Sequence, residues 1–244
     1  VLVEYGASDE AKAARLLNAA PEKFHAYMPI DVAAGAMDAM ARRLRLSHPR
    51  LRVHPFCGDF LRPIVLPESV RKLPRFGFFP GSTIGNLDPQ AAQAFLGQAA
   101  ATLGQGGWLI VGVDLRKDEN ILVPAYDDAQ GVTAAFNLNL LHRLNREAGA
   151  DFDPSGFRHR AIWNAQDSRI EMHLESLRPQ VAHLAGVEIG FAAGETIHTE
   201  NSYKHTIGGF RSLAESAGWR ARQVWTDPDH MVSIHALQAS ETRA

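Results

Sequence analysis

The sequence is poor in cysteine, in surplus charge and in long apolar runs. Its single cysteine, Cys57, rules out an internal disulfide and any thiolate metal cluster, and it fits a reducing cytoplasm. Twenty-five basic residues against 27 acidic ones leave a net charge of −2. Lys and Arg are scattered, so the expectation is no nucleic-acid partner. No apolar run approaches the roughly 18 residues that cross a membrane, and no segment resembles a signal peptide. Neither G-x-G-x-x-G nor G-x-x-x-x-G-K-[ST] occurs, which removes the usual cradles for a pyrophosphate. Among 11 histidines, His198 and His205 stand near Glu200 without any H-E-x-x-H spacing. No metal is expected.

What is present is an apolar fraction of 45% in 244 residues, enough for one large domain or one domain with an insertion. Val1 already lies inside a strand-like run, from which a further upstream segment is expected. Up to Leu115, near-continuous apolar runs alternate with helical patterns. The strand-like runs are VLVEYG, AYMPIDV, LRVHPFCGDF, RFGFFPG and GGWLIVGVDL. Ser8 reads as the cap of the first helix. PQAAQAFLGQAAATLG reads as a helix opened by Pro89 and stopped by Gly104. This alternation predicts a parallel sheet covered on both faces. Beyond Leu115 the rhythm changes. One long helix is expected from Ala125 to Gly149, capped by Asp127 or Asp128. Consecutive polar/apolar strands follow as a meander. A helix and an antiparallel hairpin through DPDH then end the chain. The fold class is therefore α/β: a doubly wound, Rossmann-like sheet with a terminal antiparallel hairpin, plus a smaller inserted α+β domain. The boundaries read as 1–124 with 203–244 for the sheet, and 125–202 for the insertion.

In doubly wound sheets ligands bind at the carboxyl ends of the strands. Here those ends carry Gly6, Asp31, Asp59 with Phe60, the run from Gly81 to Asn86, and Asp114. A glycine permits close approach, an acid suits ribose hydroxyls, and a carboxylate beside a ring suits a base. An adenosine ligand without a pyrophosphate cradle points to S-adenosylmethionine (SAM), and methyltransferase sheets typically end in such a hairpin. Each residue alone has an ordinary reading. Glycine after a strand is a turn, and Asp at a strand end caps a helix. Met172 is core, Glu200 a solvated strand charge, Tyr126 an amphipathic helix residue and Cys57 a buried thiol.

The run FFPGSTIGNL closely resembles the signature of the SAM-dependent histidine Nα-methyltransferases of the ergothioneine pathway. AYDDAQGVTAAFNLNLL, RIEMHL and FAAGETIHTENSYK resemble further blocks of that family, in the same order. The first loop is similar to the family's glycine-containing type but has Tyr5–Gly6–Ala7–Ser8 in place of a richer glycine run. The resemblance implies a class I methyltransferase that trimethylates the α-amine of L-histidine to hercynine, a monomer acting on a small molecule. It assigns Gly6, Ser8, Lys12, Asp31, Asp59 and Phe60 to the cofactor. Gly81, Asn86 and Tyr126 fall to the substrate's amino and carboxylate groups, with Asn86 and Tyr126 catalytic. Met172, Glu200 and Ser202 fall to its imidazole. The family also closes its substrate site with an upstream segment, so residues 1–244 alone are expected to turn over little substrate. The competing readings are a relative acting on another small amine, such as a tryptophan derivative, and a non-catalytic SAM-binding module.

The chemistry is consistent with those residue types. In-line methyl transfer needs an aligned neutral amine. Asn86 offers a donor and an acceptor, and Tyr126 a hydroxyl. If 196–202 is one regular strand, Thr196, His198, Glu200 and Ser202 share a face, so Glu200 and Ser202 reach one imidazole while Met172 packs on its ring.

Overall fold

Asp88 opens the most sharply defined helix. Its carboxylate accepts a hydrogen bond from the Ala91 amide at 2.8 Å, and Pro89 presets the first turn. Gly104 stops the helix with φ +76°, a conformation that glycine adopts without strain. The structure, a computed structural model, describes residues 1–7 and 9–240. In chain order the elements up to Leu115 are β1 (Leu2–Tyr5), α1 (Ala11–Ala19), β2 (Ala26–Asp31), α2 (Ala34–Ser47), β3 (Arg52–Val53), β4 (Phe56–Cys57), α3 (Glu68–Arg71), β5 (Phe76–Phe79), α4 (Pro89–Leu103) and β6 (Trp108–Asp114). The middle of the chain holds α5 (Glu119–Tyr126), α6 (Val132–Ala148), β7 (Phe157–Asn164), β8 (Arg169–Ser176), β9 (Gln180–Leu184), β10 (Val187–Phe191) and β11 (Thr196–Tyr203). It ends with α7 (Ile207–Ser216), β12 (Trp219–Thr226) and β13 (Val232–Ala239). Ser8, expected to cap the first helix and to line the cofactor site, lies outside the described residues. Glu10 occupies the N-cap of α1.

Two compact units result. One comprises Val1–Leu115 and the chain from His205 onward, the other Arg116–Lys204. The sequence reading put the first boundary after residue 124, whereas α5 belongs with the smaller unit. In the larger unit the sheet runs β12-β13-β6-β5-β1-β2-β3, with β4 also on β2. Every pair is parallel except β6 with β13 and β13 with β12. The order turns back between β1 and β5, which is the switch point of a doubly wound sheet. Leu115 and His205, where the chain leaves and returns, pair as an isolated bridge. The alternating side chains of β1 divide between two cores. Val3 and Tyr5 join Met28, Phe79 and Phe95 on one face, and Leu2 joins Tyr27, Met37 and Phe78 on the other.

Pro55 corrects the expected third strand. It has no amide hydrogen to donate, and the run breaks into two short pieces, β3 and β4, that pair separately with β2. Cys57, expected to be buried, is consequently exposed. The expected long helix is also two helices. Tyr126 ends α5, the chain turns through Gly131 (φ +70°), and α6 begins at Val132. The Asp128 carboxylate accepts from the Thr133 and Val132 amides at 2.8 and 3.0 Å. Those bonds hold its pKa down at about 2. In the smaller unit β8 lies between β7 and β11. The run QVAHLAGVEIGF, residues 180–191, whose alternation reads as one strand of the meander, is a separate β9–β10 hairpin that turns at Ala185 and Gly186, both at positive φ. Among the described residues no helix is long and apolar enough to cross a membrane.

Glu4 is only 2% exposed, in the middle of β1, where it accepts a hydrogen bond from the Tyr27 hydroxyl. Burial raises its pKa to about 7. The folded state therefore keeps a proton that the unfolded chain gives up near 4.5. The corresponding stability is fully present below about 4.5 and is lost as pH rises through about 7. Urea unfolding at about pH 5 and about pH 8 is expected to differ by roughly 3 kcal/mol from this group. In Glu4→Gln that difference should vanish; an unchanged pH slope would assign it elsewhere.

Candidate active site

The strand ends of the larger unit are built from tight turns. Gly6 follows β1 at φ +68°, and its amide and that of Ala7 both donate to the Ile30 carbonyl at 2.9 and 3.0 Å. Asp31 ends β2. One of its carboxylate oxygens accepts from the Ala33 amide at 2.9 Å, and its carbonyl accepts from the Gly58 amide at 2.9 Å. Asp59 repeats the arrangement, accepting from the Leu61 amide at 2.8 Å. Each carboxylate thus spends one oxygen on its own turn, and the second Asp59 oxygen lies 3.8 Å from the Arg62 guanidinium. The Phe60 ring is fixed edge-on against Phe79 and Phe95, both at 5.5 Å. Carboxylate oxygens that accept from hydroxyls and an amine, a glycine backbone that permits close approach and a pinned ring for a base are the groups that a nucleoside requires.

After β5 the chain passes Gly81 (φ +77°) and Ser82 (φ +59°) into a short 3₁₀ turn, Thr83–Asn86. Thr83 donates to the Pro80 carbonyl at 3.2 Å, and Ile84 is fully buried beneath the turn. A side chain at Gly81 would start 2.7 Å from the Lys12 ammonium. Gly81 therefore both permits the turn and leaves Lys12 its place, which brings α1 and the β5 end together. Asn86 is exposed, and among the described residues nothing holds its amide.

In the smaller unit, one face of the three-stranded sheet packs under α5 and α6. Met172 and Ile170 are buried there with Leu122, beside Tyr126, Ala161 and Trp163. Glu200 lies directly across from Met172, and Ser202 from Ile170. The register shifts between His198 and Glu200, so a bulge interrupts the regular alternation. His198 pairs with His173 and Thr196 with Glu175, on the opposite face. This overturns the expectation that Thr196 and His198 share a face with Glu200 and Ser202. Burial pushes the Glu200 carboxyl up, and Lys204 partly opposes that. The Tyr126 hydroxyl and Ser202 Oγ are 2.8 Å apart. The Lys204 ammonium donates to both, at 2.7 and 2.8 Å.

A profile of the SAM-dependent, histidine-specific methyltransferases matches residues 1–239. The chain belongs to that family. A histidine N-alpha-methyltransferase of Mycolicibacterium smegmatis is 41% identical over 235 residues, covering 93% of this chain and 71% of the relative. One of Mycobacterium tuberculosis is 37% identical over 234 residues, with the same two shares. The CcbJ methyltransferase of Streptomyces caelestis superposes with a TM-score of 0.55 at 13% identity, over 98% of this chain and 83% of that one. That likeness shows the class I methyltransferase fold.

The methyltransferase contains functional groups that its sequence did not announce. Lys204 reads in sequence as one more solvated cation, yet it is 3% exposed and joins Tyr126 to Ser202. The signal was the spacing: Lys204 directly follows the last residue of β11, two positions after Ser202, and residues two apart on an extended chain share a face. Beneath them, the buried amide of Asn137 donates to His159 Nδ1 at 2.9 Å, and His159 Nε2 donates to the Tyr126 carbonyl at 2.7 Å. This chain ties the last turn of α5 to α6 and β7. On the opposite sheet face Glu171, His173 and His198 gather ligand atoms within 4.8 Å of one another. One Glu171 oxygen already accepts from Arg169 and Asn164, at 2.8 and 2.9 Å, and the other lies 3.1 Å from His173 Nε2. The two imidazoles stack at 4.6 Å.

Proposed function

We propose that this methyltransferase transfers three methyl groups in succession to the α-nitrogen of L-histidine, giving the betaine hercynine on a route to ergothioneine. The observation that carries this reading is the pair Glu200 and Ser202 on the Met172 face of one strand. A carboxylate and a hydroxyl beside a soft apolar side chain suit a flat ring with two nitrogens. An indole, with a single N–H and no second nitrogen, would leave one of them unsatisfied. Support for histidine as the substrate also comes from the family and from relatives named histidine N-alpha-methyltransferase.

When bound, SAM supplies an electrophilic methyl group on a sulfonium that is already a good leaving group. Gly6, Lys12, Asp31, Asp59 and Phe60 would hold it. Gly81 lets the substrate's backbone end come close. Asn86 presents a neutral amide, with both a donor and an acceptor, to the α-amine and orients its lone pair. Tyr126 shares that task. In each cycle an N–C bond forms, the S–C bond breaks and one proton leaves the amine for solvent. The protein works on a free amino acid as a monomer in the cytoplasm.

Mass spectrometry of L-histidine and SAM incubated with the full-length protein tests this. Mono-, di- and trimethyl products should appear in sequence, all modified on the α-nitrogen. Methylation on the ring, or a reaction that stops at the monomethyl product, would sink the proposal.

A further inference from the structure

We infer that His159 is a positioning residue for methyl transfer: it holds the main chain of Tyr126 and thereby aims the Tyr126 hydroxyl. This rests on the proposed role of Tyr126 at the substrate's amine.

The last turn of α5 is weak on its own. Pro124 lies inside it and has no amide hydrogen to donate. Tyr126 ends the helix, so its carbonyl finds no partner in the helix's own ladder. His159 Nε2 meets that carbonyl at 2.7 Å. A carbonyl only accepts, so Nε2 carries the proton. On the other side of the ring, the Asn137 amide nitrogen donates to His159 Nδ1 at 2.9 Å and to the His173 carbonyl at 3.2 Å. Asn137 Oδ1 is buried, with no partner among the described residues. Turning this amide round would set its oxygen against the His173 carbonyl and bury two unpaired N–H groups. The series of bonds thus ends on a backbone carbonyl at each side, and every donor direction follows. The ring is the neutral tautomer with its proton on Nε2. The tip of Tyr126 is gripped separately, by Ser202 at 2.8 Å and Lys204 at 2.7 Å. The Lys204 ammonium also lies 4.5 Å from the ring centroid. Tyr126 is therefore held at both ends, and all of these groups belong to the smaller unit. Without His159 the tip keeps its partners while the helix end behind it is released. A displacement of about 1 Å in a group that orients a reacting amine can cost roughly 10²-fold in rate.

A double-mutant cycle on the full-length protein, read by steady-state kinetics and thermal melts, tests this. His159→Asn keeps a polar group beside Asn137 but is too short to reach the Tyr126 carbonyl. Its kcat for histidine should fall about 10- to 50-fold, with KM for SAM within about twofold of wild type. His159→Gln can put an amide N–H where Nε2 stood, and should return kcat to within about threefold of wild type. In a Tyr126→Phe background, the change of His159 to Asn should cost less than about twofold, because a residue that acts through another has nothing left to act on. The same loss in both backgrounds overturns the inference. So does a Gln variant as slow as the Asn variant, or a lowered melting temperature with kcat unchanged. If His159→Asn does not fold, His159→Met, which fills the space and offers no donor, takes its place in the cycle. Full activity of Tyr126→Phe alone would instead remove the role given to Tyr126, and the inference with it.

Discussion

Replacing Asn86 by alanine should lower kcat for histidine methylation roughly 10²- to 10³-fold and leave SAM affinity within about twofold of wild type. The expectation follows from how the residue is mounted. Asn86 closes the 3₁₀ turn. Ile84, buried within the turn, and Asp88, capping α4 just after it, anchor the backbone on both sides. Truncating an exposed, unheld amide removes a hydrogen-bonding group and leaves the loop standing. Steady-state kinetics with calorimetric titration of SAM separate the outcomes. A lost cofactor affinity would assign Asn86 to the cofactor instead, and an unchanged kcat would remove it from the catalytic set.

The elements legible in the sequence are those governed by local physics. Asp88, Pro89 and Gly104 bound α4 because capping, a fixed φ and a left-handed stop act over one turn. The apolar runs of β1, β2, β5 and β6 declared a sheet buried on both faces. What stayed hidden depended on partners distant in sequence. Pro55 splits a strand only because both halves must pair with β2. Ala185–Gly186 turns a hairpin inside what alternation alone reads as one strand. The bulge after His198 shows only when β11 is laid against β8. Lys204 was invisible for the same reason: nothing in SYK says that Tyr126, 78 positions away, will sit on it.

Enlarging the ring pocket should have the second large effect. In Met172→Val combined with Glu200→Ala, kcat/KM for histidine is expected to fall roughly 10²- to 10³-fold, with measurable turnover of tryptophan appearing. Met172 is buried with Leu122 and Ile170 and faces the small Ala161 across the sheet. Shortening it opens space, at a cost of about 1 kcal/mol in stability. Glu200 is a carboxyl that burial already disfavours in its charged form, so its removal alone should leave the melting temperature no lower. A group kept against its own solvation is the kind retained for binding. Competition assays of histidine against tryptophan, with thermal melts of both single variants, check the pair. Histidine kinetics untouched by the double change would show that the ring binds elsewhere.

The bulge in β11 has a consequence for how this strand tolerates change. Its extra residue, Thr199, donates its hydroxyl to the Met172 carbonyl at 2.9 Å and separates two stretches of pairing, one through His198 and one from Glu200. The two stretches run in different phases. Removing Thr199 would leave His198 opposite His173 and Glu200 opposite Met172, in a now regular ladder. Inserting a residue beyond Glu200 would turn Ser202 and Lys204 to the wrong face together. The strand is thus forgiving at its one irregular position and unforgiving along the regular stretch that follows.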